Sequence, residues 1–255
     1  MDERLIRALF TAYPLNTFPL YLLQIIGVIC FIKLPREKKA NIHYLLPFFI
    51  LSFTFFYETL GAYLNYNHEL KYAINAYLGN TVYPKFNLFL FNIANRQIGT
   101  ILYLILIKSW LHPSKKKYIT WMIYIFIVLA LVLQITGMEL LYLQQPIIFS
   151  IGANMILIAS GIYFTGLMTH KAYLDRNPLK LLSFWQVTSM LFTYTLTYIS
   201  SVSLIYLYEV NPVLGRALSN INTVMTIITL GVLTLIIASP LLPNTFEKEP
   251  FYESN

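Results

Sequence analysis

The chain has 255 residues, of which 57% are hydrophobic and only 11% are charged, and its mean hydropathy is +0.61. A soluble domain normally carries about 25% charged residues, so this composition excludes an ordinary soluble protein. The net charge of +7 does not indicate nucleic-acid binding, because the basic residues lie in short clusters between apolar segments. We therefore expect an integral membrane protein that contacts membrane lipid and binds no nucleic acid.

Seven apolar segments are long enough to cross a bilayer, whose hydrocarbon core of roughly 30 Å takes about 20 helical residues. The first ends in a basic stretch rather than a small-residue cleavage site, which favours a retained span over a signal peptide. The sequence thus predicts an all-α membrane protein, a seven-transmembrane helix bundle in a single domain over 1–240, with a short tail over 241–255. The predicted spans are 16–33, 43–64, 87–109, 118–136, 147–168, 181–207 and 218–238.

Basic residues in the short loops predict how the bundle is oriented. Cytoplasmic loops are enriched in Lys and Arg, so the richer side indicates the cytoplasm. We expect the N-terminus outside, the C-terminus and tail in the cytoplasm, and the 65–86 loop outside, with a short helix around His68 to Leu78. One side holds eleven basic residues: Lys33, Arg36, Lys38, Lys39, Lys108, Lys115, Lys116, Lys117, Lys171, Arg176 and Lys180; the other holds five: Arg4, Arg7, Lys71, Lys85 and Arg216.

A polar stripe interrupts the third segment. Asn92, Asn95 and Arg96 lie three and four residues apart, so on an α-helix they share one face. An arginine at the bilayer centre costs roughly 2.5–3.5 kcal/mol on insertion scales. At 1.5 Å per residue, Arg96 lies about 14 Å and Glu58 about 9 Å below the outer surface. Because helical side chains tilt toward the N-terminus, we expect Arg96 to reach and pair with Glu58.

Further polar residues fall in the outer halves of the segments, whereas the inner halves are mostly aliphatic, with Gln186 as the main exception. This asymmetry predicts an outward-facing polar pocket and a sealed cytoplasmic half. An alternative is that these residues only fix helix packing, since interhelical polar contacts contribute about 0.6 kcal/mol on average. The predicted ligand-binding residues are Glu58, Asn92, Asn95, Arg96, Tyr194, Tyr198 and Asn222.

The sequence contains no catalytic or metal-binding pattern. No histidine has Cys, Asp or Glu at metal-ligand spacing, and none lies inside a segment where it could activate a serine. The seventh segment has no lysine for a retinal Schiff base, and the Pro-Gln dipeptide of small seven-span sugar carriers is missing from both halves. We therefore expect no enzyme activity, no metal and no cofactor. The four histidines are His43, His68, His112 and His170.

Four features of the sequence occur together in an order also found in other proteins: Tyr57-Glu58 with Gly61, the stripe from Asn92 to Arg96, Asn177-Pro178 leading to Phe184-Trp185, and Asn220 and Asn222. This order resembles that of uncharacterised seven-span bacterial membrane proteins common in Bacteroidetes. It is also similar to the seven-span sensor module that precedes some histidine kinases. Such proteins carry Glu more often than Arg in the third span, so Arg96 followed by Gln97 is a departure from their pattern.

The resemblance implies a sensory or receptor-like role in a bacterial inner membrane. We expect a subunit that binds a small ligand in the outward pocket and signals through a separate cytoplasmic partner, a histidine kinase or response regulator. A second copy of the chain is the other protein partner considered. Two alternatives stay open. One is a small solute carrier of three-plus-one-plus-three type, indicated by a faint similarity between the segments beginning at Leu45 and Leu181. The other is a structural subunit of a membrane complex.

Overall fold

The computed structural model describes residues 14–81, 84–242, 245–247 and 249–250, and the side chains of these residues except 14–16, 199–209 and 212. The described residues contain no strand, and each of the seven predicted segments coincides with a long helix. The all-α prediction is therefore confirmed. The long helices are α1 (Pro14–Lys33), α2 (Ile42–Tyr66), α3 (Leu88–Trp110), α4 (Pro113–Ile135), α5 (Pro146–Thr169), α6 (Leu182–Val210) and α7 (Pro212–Ala238).

Five helices of the described part are long and apolar enough to cross a membrane: α2, α3, α4, α5 and the stretch Val213–Leu241, which covers α7 except for its first residue. The chain is therefore a multi-pass membrane protein by helix length and composition. Over α1 the structure has a shorter apolar helix, Thr17–Lys33. Membrane crossing by α1 and α6, and hence the full count of seven spans, stays a prediction.

Prolines and capping side chains mark where the helices begin. Helices α4, α5 and α7 start at Pro113, Pro146 and Pro212, at positions where the missing proline N–H has no intrahelical partner to lose. The side chain of Asn41 accepts a hydrogen bond from the backbone N–H of His43 at the start of α2. Such caps satisfy N–H groups that the first helical turn leaves free. The chain therefore encodes the boundaries of its long helices locally.

Six helices form a closed ring, and α4 lies outside it. Helix α7 packs against α6, α1 and α2; α5 packs against α6 and α3; and α2 packs against α1 and α3. Helix α4 packs against α3 and α5 from outside. Its Trp121, Tyr124 and Val128 side chains are exposed, which suits a surface that faces lipid. The interior of the bundle is therefore bounded by α1, α2, α3, α5, α6 and α7.

The connections lie at two ends of the bundle. We call the end that carries 67–87 and 136–145 the long-loop end, and the end that carries 34–41, 111–112 and 170–181 the basic-loop end. At the basic-loop end, the Tyr173 hydroxyl donates to the carbonyl of Trp110 at 3.4 Å. The rings of His112 and His170 also lie 4.8 Å apart there. Ten of the eleven basic residues that predict the cytoplasmic side lie in or beside these basic loops, and Lys108 lies in the last turn of α3.

The first long loop is folded around a buried asparagine. It contains the helix His68–Tyr77, which confirms the short helix predicted there. The fully buried Asn75 donates its amide hydrogens to the carbonyls of Lys71, Pro84 and Phe86, at 3.0, 3.2 and 3.0 Å. Its side-chain oxygen accepts from Asn80 at 2.6 Å. These bonds hold the described parts of the loop on both sides of Asn75 together.

The half of the bundle near the basic-loop end is closed by aliphatic packing. This agrees with the sealed half expected from the sequence. Gln186 is also fully buried in this half, and neither its amide nitrogen nor its oxygen has a hydrogen-bond partner among the described residues. The fully buried apolar side chains here are Leu104, Leu106, Ile107, Ile156, Val187, Met190, Leu233, Ile236 and Ile237.

The described part of the predicted tail returns to the basic-loop end. The backbone N–H of Glu247 donates to the carbonyl of Lys180 at 3.0 Å. The carboxylate of Glu249 accepts from the backbone N–H and the hydroxyl of Ser183, at 2.9 and 2.8 Å. Ser183 lies in the first turn of α6, where free N–H groups and the helix dipole favour a negative charge. The tail thus docks through a buried carboxylate.

Candidate functional site

A cavity of about 340 Å³ lies inside the ring, toward the long-loop end. All six ring helices contribute to its wall, whereas α4 does not. Two of the described lining residues are charged, Glu58 from α2 and Arg96 from α3. The other polar groups of the wall are hydroxyls, phenols and amides, so the two charges dominate the electrostatics of the cavity.

The structure brings together five of the seven residues predicted to bind a ligand. Glu58, Asn95, Arg96, Tyr194 and Asn222 all line the central cavity, although they come from four different helices. Tyr194 is buried, and its ring meets the ring of Tyr103 edge-on at 5.6 Å between centroids. Intramembrane polarity combined with depth therefore predicted residues that lie together around one cavity, and their role in binding a ligand stays a prediction.

The two other predicted residues lie outside the lining. Asn92 is fully buried, and its amide donates to the carbonyls of Leu141 and Leu143 at 2.7 and 2.6 Å. These bonds attach the 136–145 loop to α3. Tyr198 is partly buried against the apolar core. In this structure, Asn92 supports the wall of the cavity rather than its surface.

The expected ion pair between Glu58 and Arg96 does not form. Within the described part of the chain, no nitrogen–oxygen contact of 4.0 Å or less joins the two side chains. The guanidinium of Arg96 lies instead over the ring of Phe149, 5.6 Å from its centroid. The carboxylate whose charge acts on it is Glu139, from the 136–145 loop.

The helix type of this segment also differs from the expectation. Residues Asn92–Gly99 of α3 form a π-helix, in which each N–H bonds to the carbonyl five residues earlier. The expectation that Asn92, Asn95 and Arg96 share one face assumed an α-helical period, and it is wrong for this segment. Asn92 meets the loop, whereas Asn95 and Arg96 meet the cavity. Segments of π-helix are frequent at functional sites.

Sequence reasoning missed Glu139, which organises the rim of the cavity. It is 3% exposed, and its two carboxylate oxygens accept from the N–H groups of Ile147 and Ile148, at 2.6 and 2.7 Å. The fully buried Gln145 donates to the Glu139 carbonyl and accepts from Gln97 at 3.1 Å. An acidic residue shortly before a proline-initiated helix was the available signal. Glu139 thus caps α5 and places negative charge near Arg96.

The hydroxyl groups of α6 and α7 bond mainly to one another. The Thr193 hydroxyl donates to the carbonyl of Met225 at 3.1 Å and lies 2.9 Å from the Thr229 hydroxyl. The Thr197 hydroxyl donates to the side-chain oxygen of Asn222. These bonds join the two helices, so this wall of the cavity is rigid and largely satisfied in hydrogen bonding.

A second cavity adjoins the first at Glu58. It has a volume of about 350 Å³ and shares Leu20, Glu58 and Thr223 with the central cavity. It lies nearer the long loops, where the amide of Asn87 donates to the carbonyl of Gly61 at 3.2 Å. The Glu58 carboxylate therefore stands at the junction of two polar spaces.

No group of three or more His, Cys, Asp or Glu side chains in the described ranges could hold a metal ion. Comparisons with protein-family models, curated proteins and solved structures find no match to the chain. The geometry and chemistry of the cavity are therefore the basis for inferring a function.

Proposed function

We propose that the protein is a seven-span receptor subunit of a bacterial inner membrane that binds a small polar ligand in the central cavity. The observation that carries this proposal is a pair of opposite charges inside one cavity. Across the described residues, the side chains of Glu58 and Arg96 make no hydrogen bond and no ion pair with protein groups. We infer that these energetically costly charges bind a ligand that enters the cavity.

The energetic cost of these two charges disfavours a purely structural role. An intramembrane charge persists when it pairs or faces a polar cavity, because lipid offers no solvation. Charges that only fix helix packing would be paired with each other or with neighbouring helices. Glu139 shows the structural pattern in this same protein, since both of its oxygens accept backbone N–H groups. Glu58 and Arg96 lack this pattern, which supports a binding role.

The proposed orientation makes the site accessible from outside. Since basic loops favour the cytoplasm, the basic-loop end would face the cytoplasm and the cavity would open toward the exterior. The aliphatic packing below the cavity would then block a direct path through the bundle. A ligand would act by shifting helix packing, and the basic loops would offer a docking surface to a histidine kinase or response regulator. Self-association of the chain stays a prediction.

Substitution of Arg96 by leucine tests the proposal. The purified variant in lipid nanodiscs is screened against a library of water-soluble metabolites, with the thermal unfolding midpoint as the readout. Arg96→Leu should insert and fold yet lose the stabilisation that the wild type shows. Arg216→Leu, which removes an exposed charge from the first turn of α7, is the matched control and should keep it. If ligands stabilise Arg96→Leu as much as the wild type, the assignment of the site is wrong.

A small solute carrier is the second candidate, and the position of α4 favours it. The helices that line the cavity are α1–α3 and α5–α7, so α4 stands apart as a three-plus-one-plus-three arrangement requires. The two roles differ in transport. Flux of a bound solute into proteoliposomes that contain only this protein would favour the carrier, whereas binding without flux would favour the receptor.

A further inference from the structure

We infer that the ligand of the central cavity is a small zwitterion, a molecule that carries one cationic and one anionic group, such as a free α-amino acid. This inference rests on the proposed function and specifies the chemical class of its ligand. The observation behind it is the charge composition of the wall. Glu58 and Arg96 are the charged groups of the described lining, one of each sign.

A ligand with a single charge satisfies only half of this site. An anion at Arg96 would leave the Glu58 carboxylate unpaired in a medium of low polarity and would also be repelled by it. A cation at Glu58 would leave the guanidinium of Arg96 without a counter-charge from the ligand and would be repelled by it. A molecule with both groups pairs both charges and brings no net charge into the membrane interior.

The geometry assigns each group of the ligand to one residue. The planar guanidinium of Arg96 offers parallel N–H donors that match a carboxylate, and the Phe149 ring 5.6 Å from it restricts its position. Glu58 accepts the ammonium group. Glu139 does not compete for that cation, because both of its oxygens already accept N–H groups of α5.

The size and surface of the cavity limit the rest of the ligand. A volume of about 340 Å³ lies at the small end of ordinary small-molecule pockets, which span roughly 300–1,000 Å³. The wall between the charges is built largely from aromatic rings and threonine hydroxyls. A compact ligand with an apolar or aromatic side chain fits this wall better than a long or highly charged one. The aromatic residues are Phe53, Tyr57, Tyr103, Phe149 and Tyr194.

The same chemistry has two sources in a cell, a free amino acid and the headgroup of a zwitterionic lipid. The experiment separates them by the composition of the nanodisc. One set of discs contains phosphatidylglycerol only, which is anionic, and receives a mixture of the twenty proteinogenic amino acids. The other set contains phosphatidylethanolamine without added amino acids. The readout in both sets is the thermal unfolding midpoint of the full-length protein.

The decisive comparison uses the amino acid that stabilises most in phosphatidylglycerol discs. Its N-acetyl form carries only the negative charge, and its amide carries only the positive charge. We expect each blocked form to bind at least tenfold more weakly than the parent. Glu58→Gln should remove the discrimination against the N-acetyl form, and Arg96→Gln the discrimination against the amide. Glu69→Gln and Arg216→Gln, which alter exposed charges, should leave both ratios unchanged.

The outcomes separate this inference from the proposed function. Stabilisation in phosphatidylethanolamine discs that requires both Glu58 and Arg96 supports the inference with lipid as the source. If a singly charged analogue binds as tightly as the amino acid, the inference of a zwitterionic ligand is wrong, while the proposed receptor function stands. If other metabolites stabilise the protein but neither amino acids nor phosphatidylethanolamine do, the zwitterion inference is likewise wrong and the receptor proposal stands. If nothing stabilises the protein through these residues, both proposals fail.

Discussion

Gln186 is a polar residue in the part of the bundle that otherwise packs like a dry core. Its side chain is fully buried, and neither polar atom has a partner among the described residues. An unpaired buried amide costs about 1–3 kcal/mol because it loses its hydrogen bonds to water. Gln186 therefore weakens the packing beneath the cavity, and its cost can be measured.

Replacing Gln186 by leucine should raise the free energy of unfolding by about 1–3 kcal/mol, since the unpaired amide is removed at similar volume. Chemical unfolding in detergent measures the change. Gln145→Leu is the matched control: Gln145 is equally buried, but it bonds to Glu139 and Gln97, so its loss should destabilise the protein. A lower stability of Gln186→Leu would mean that Gln186 has a partner in the membrane.

The sequence predicted the position of those residues whose charge is too costly to expose to lipid. Glu58 and Arg96 are too expensive in lipid to lie anywhere but at a cavity, and their depth along the helices brought them to the same level. Asn92 and Glu139 could not be placed this way. Their partners are backbone groups of the 136–145 loop and of α5, and the conformation of that loop has no periodic signal.

At the scale of elements, the long helices were predictable and the π-helix was not. Apolar runs of about 20 residues, bounded by prolines and basic loops, predicted seven segments that coincide with α1 to α7. The π-helix over Asn92–Gly99 leaves no mark in hydropathy, because it changes only the number of residues per turn. It changes the angular spacing of the polar residues along α3, and Arg96 lies over the ring of Phe149 rather than in an ion pair with Glu58.

The docked tail is an element whose docking should depend on pH. Burial raises the pKa of the Glu249 carboxyl above its ordinary value of 4.5, although the hydrogen bonds from Ser183 act in the opposite direction. The neighbouring phenol of Tyr173 stays neutral, since burial raises the pKa of Tyr173 above its usual range. A raised carboxyl pKa means that the docked tail favours the protonated form.

Tail docking should therefore be strongest below pH 4.5 and weaken as the pH rises through the raised pKa of Glu249. A nitroxide on Thr245→Cys, in a background with Cys30→Ser, reports docking by its mobility in spin-resonance spectra. Glu249→Gln keeps a neutral side chain at every pH and should abolish the dependence. Equal pH dependence in Glu249→Gln would assign the effect to another group.

At the scale of the whole molecule, the ring of six helices with α4 outside was not predictable from sequence. Helix α4 is the most apolar of the five helices that could span a membrane, but hydropathy does not show which helices contact one another to enclose the interior. The contacts decide it: α7 meets α1, α2 and α6 and closes the ring, while α4 meets the outer surface of α3 and α5. This closure creates the cavity, and it leaves one face of α4 to lipid.

Tryptophan quenching tests this arrangement in a bilayer. Trp121 on α4 is 66% exposed, whereas Trp110 at the end of α3 is 4% exposed. In variants that keep only one of these two and lack Trp185, the third tryptophan of the chain, brominated lipids should quench Trp121 strongly and Trp110 weakly, because quenching requires contact with the acyl chains. Equal quenching of both would contradict the placement of α4 outside the ring.

The main proposal is that Glu58 and Arg96 form no ion pair with each other and instead bind a ligand that carries both charges. A double-mutant cycle with Glu58→Gln and Arg96→Gln, measured as free energies of unfolding of the ligand-free protein, tests it most directly. The account predicts a coupling energy near zero and single variants at least as stable as the wild type. A favourable coupling of about 1 kcal/mol or more, with both single variants destabilised, would show a structural ion pair and contradict the account.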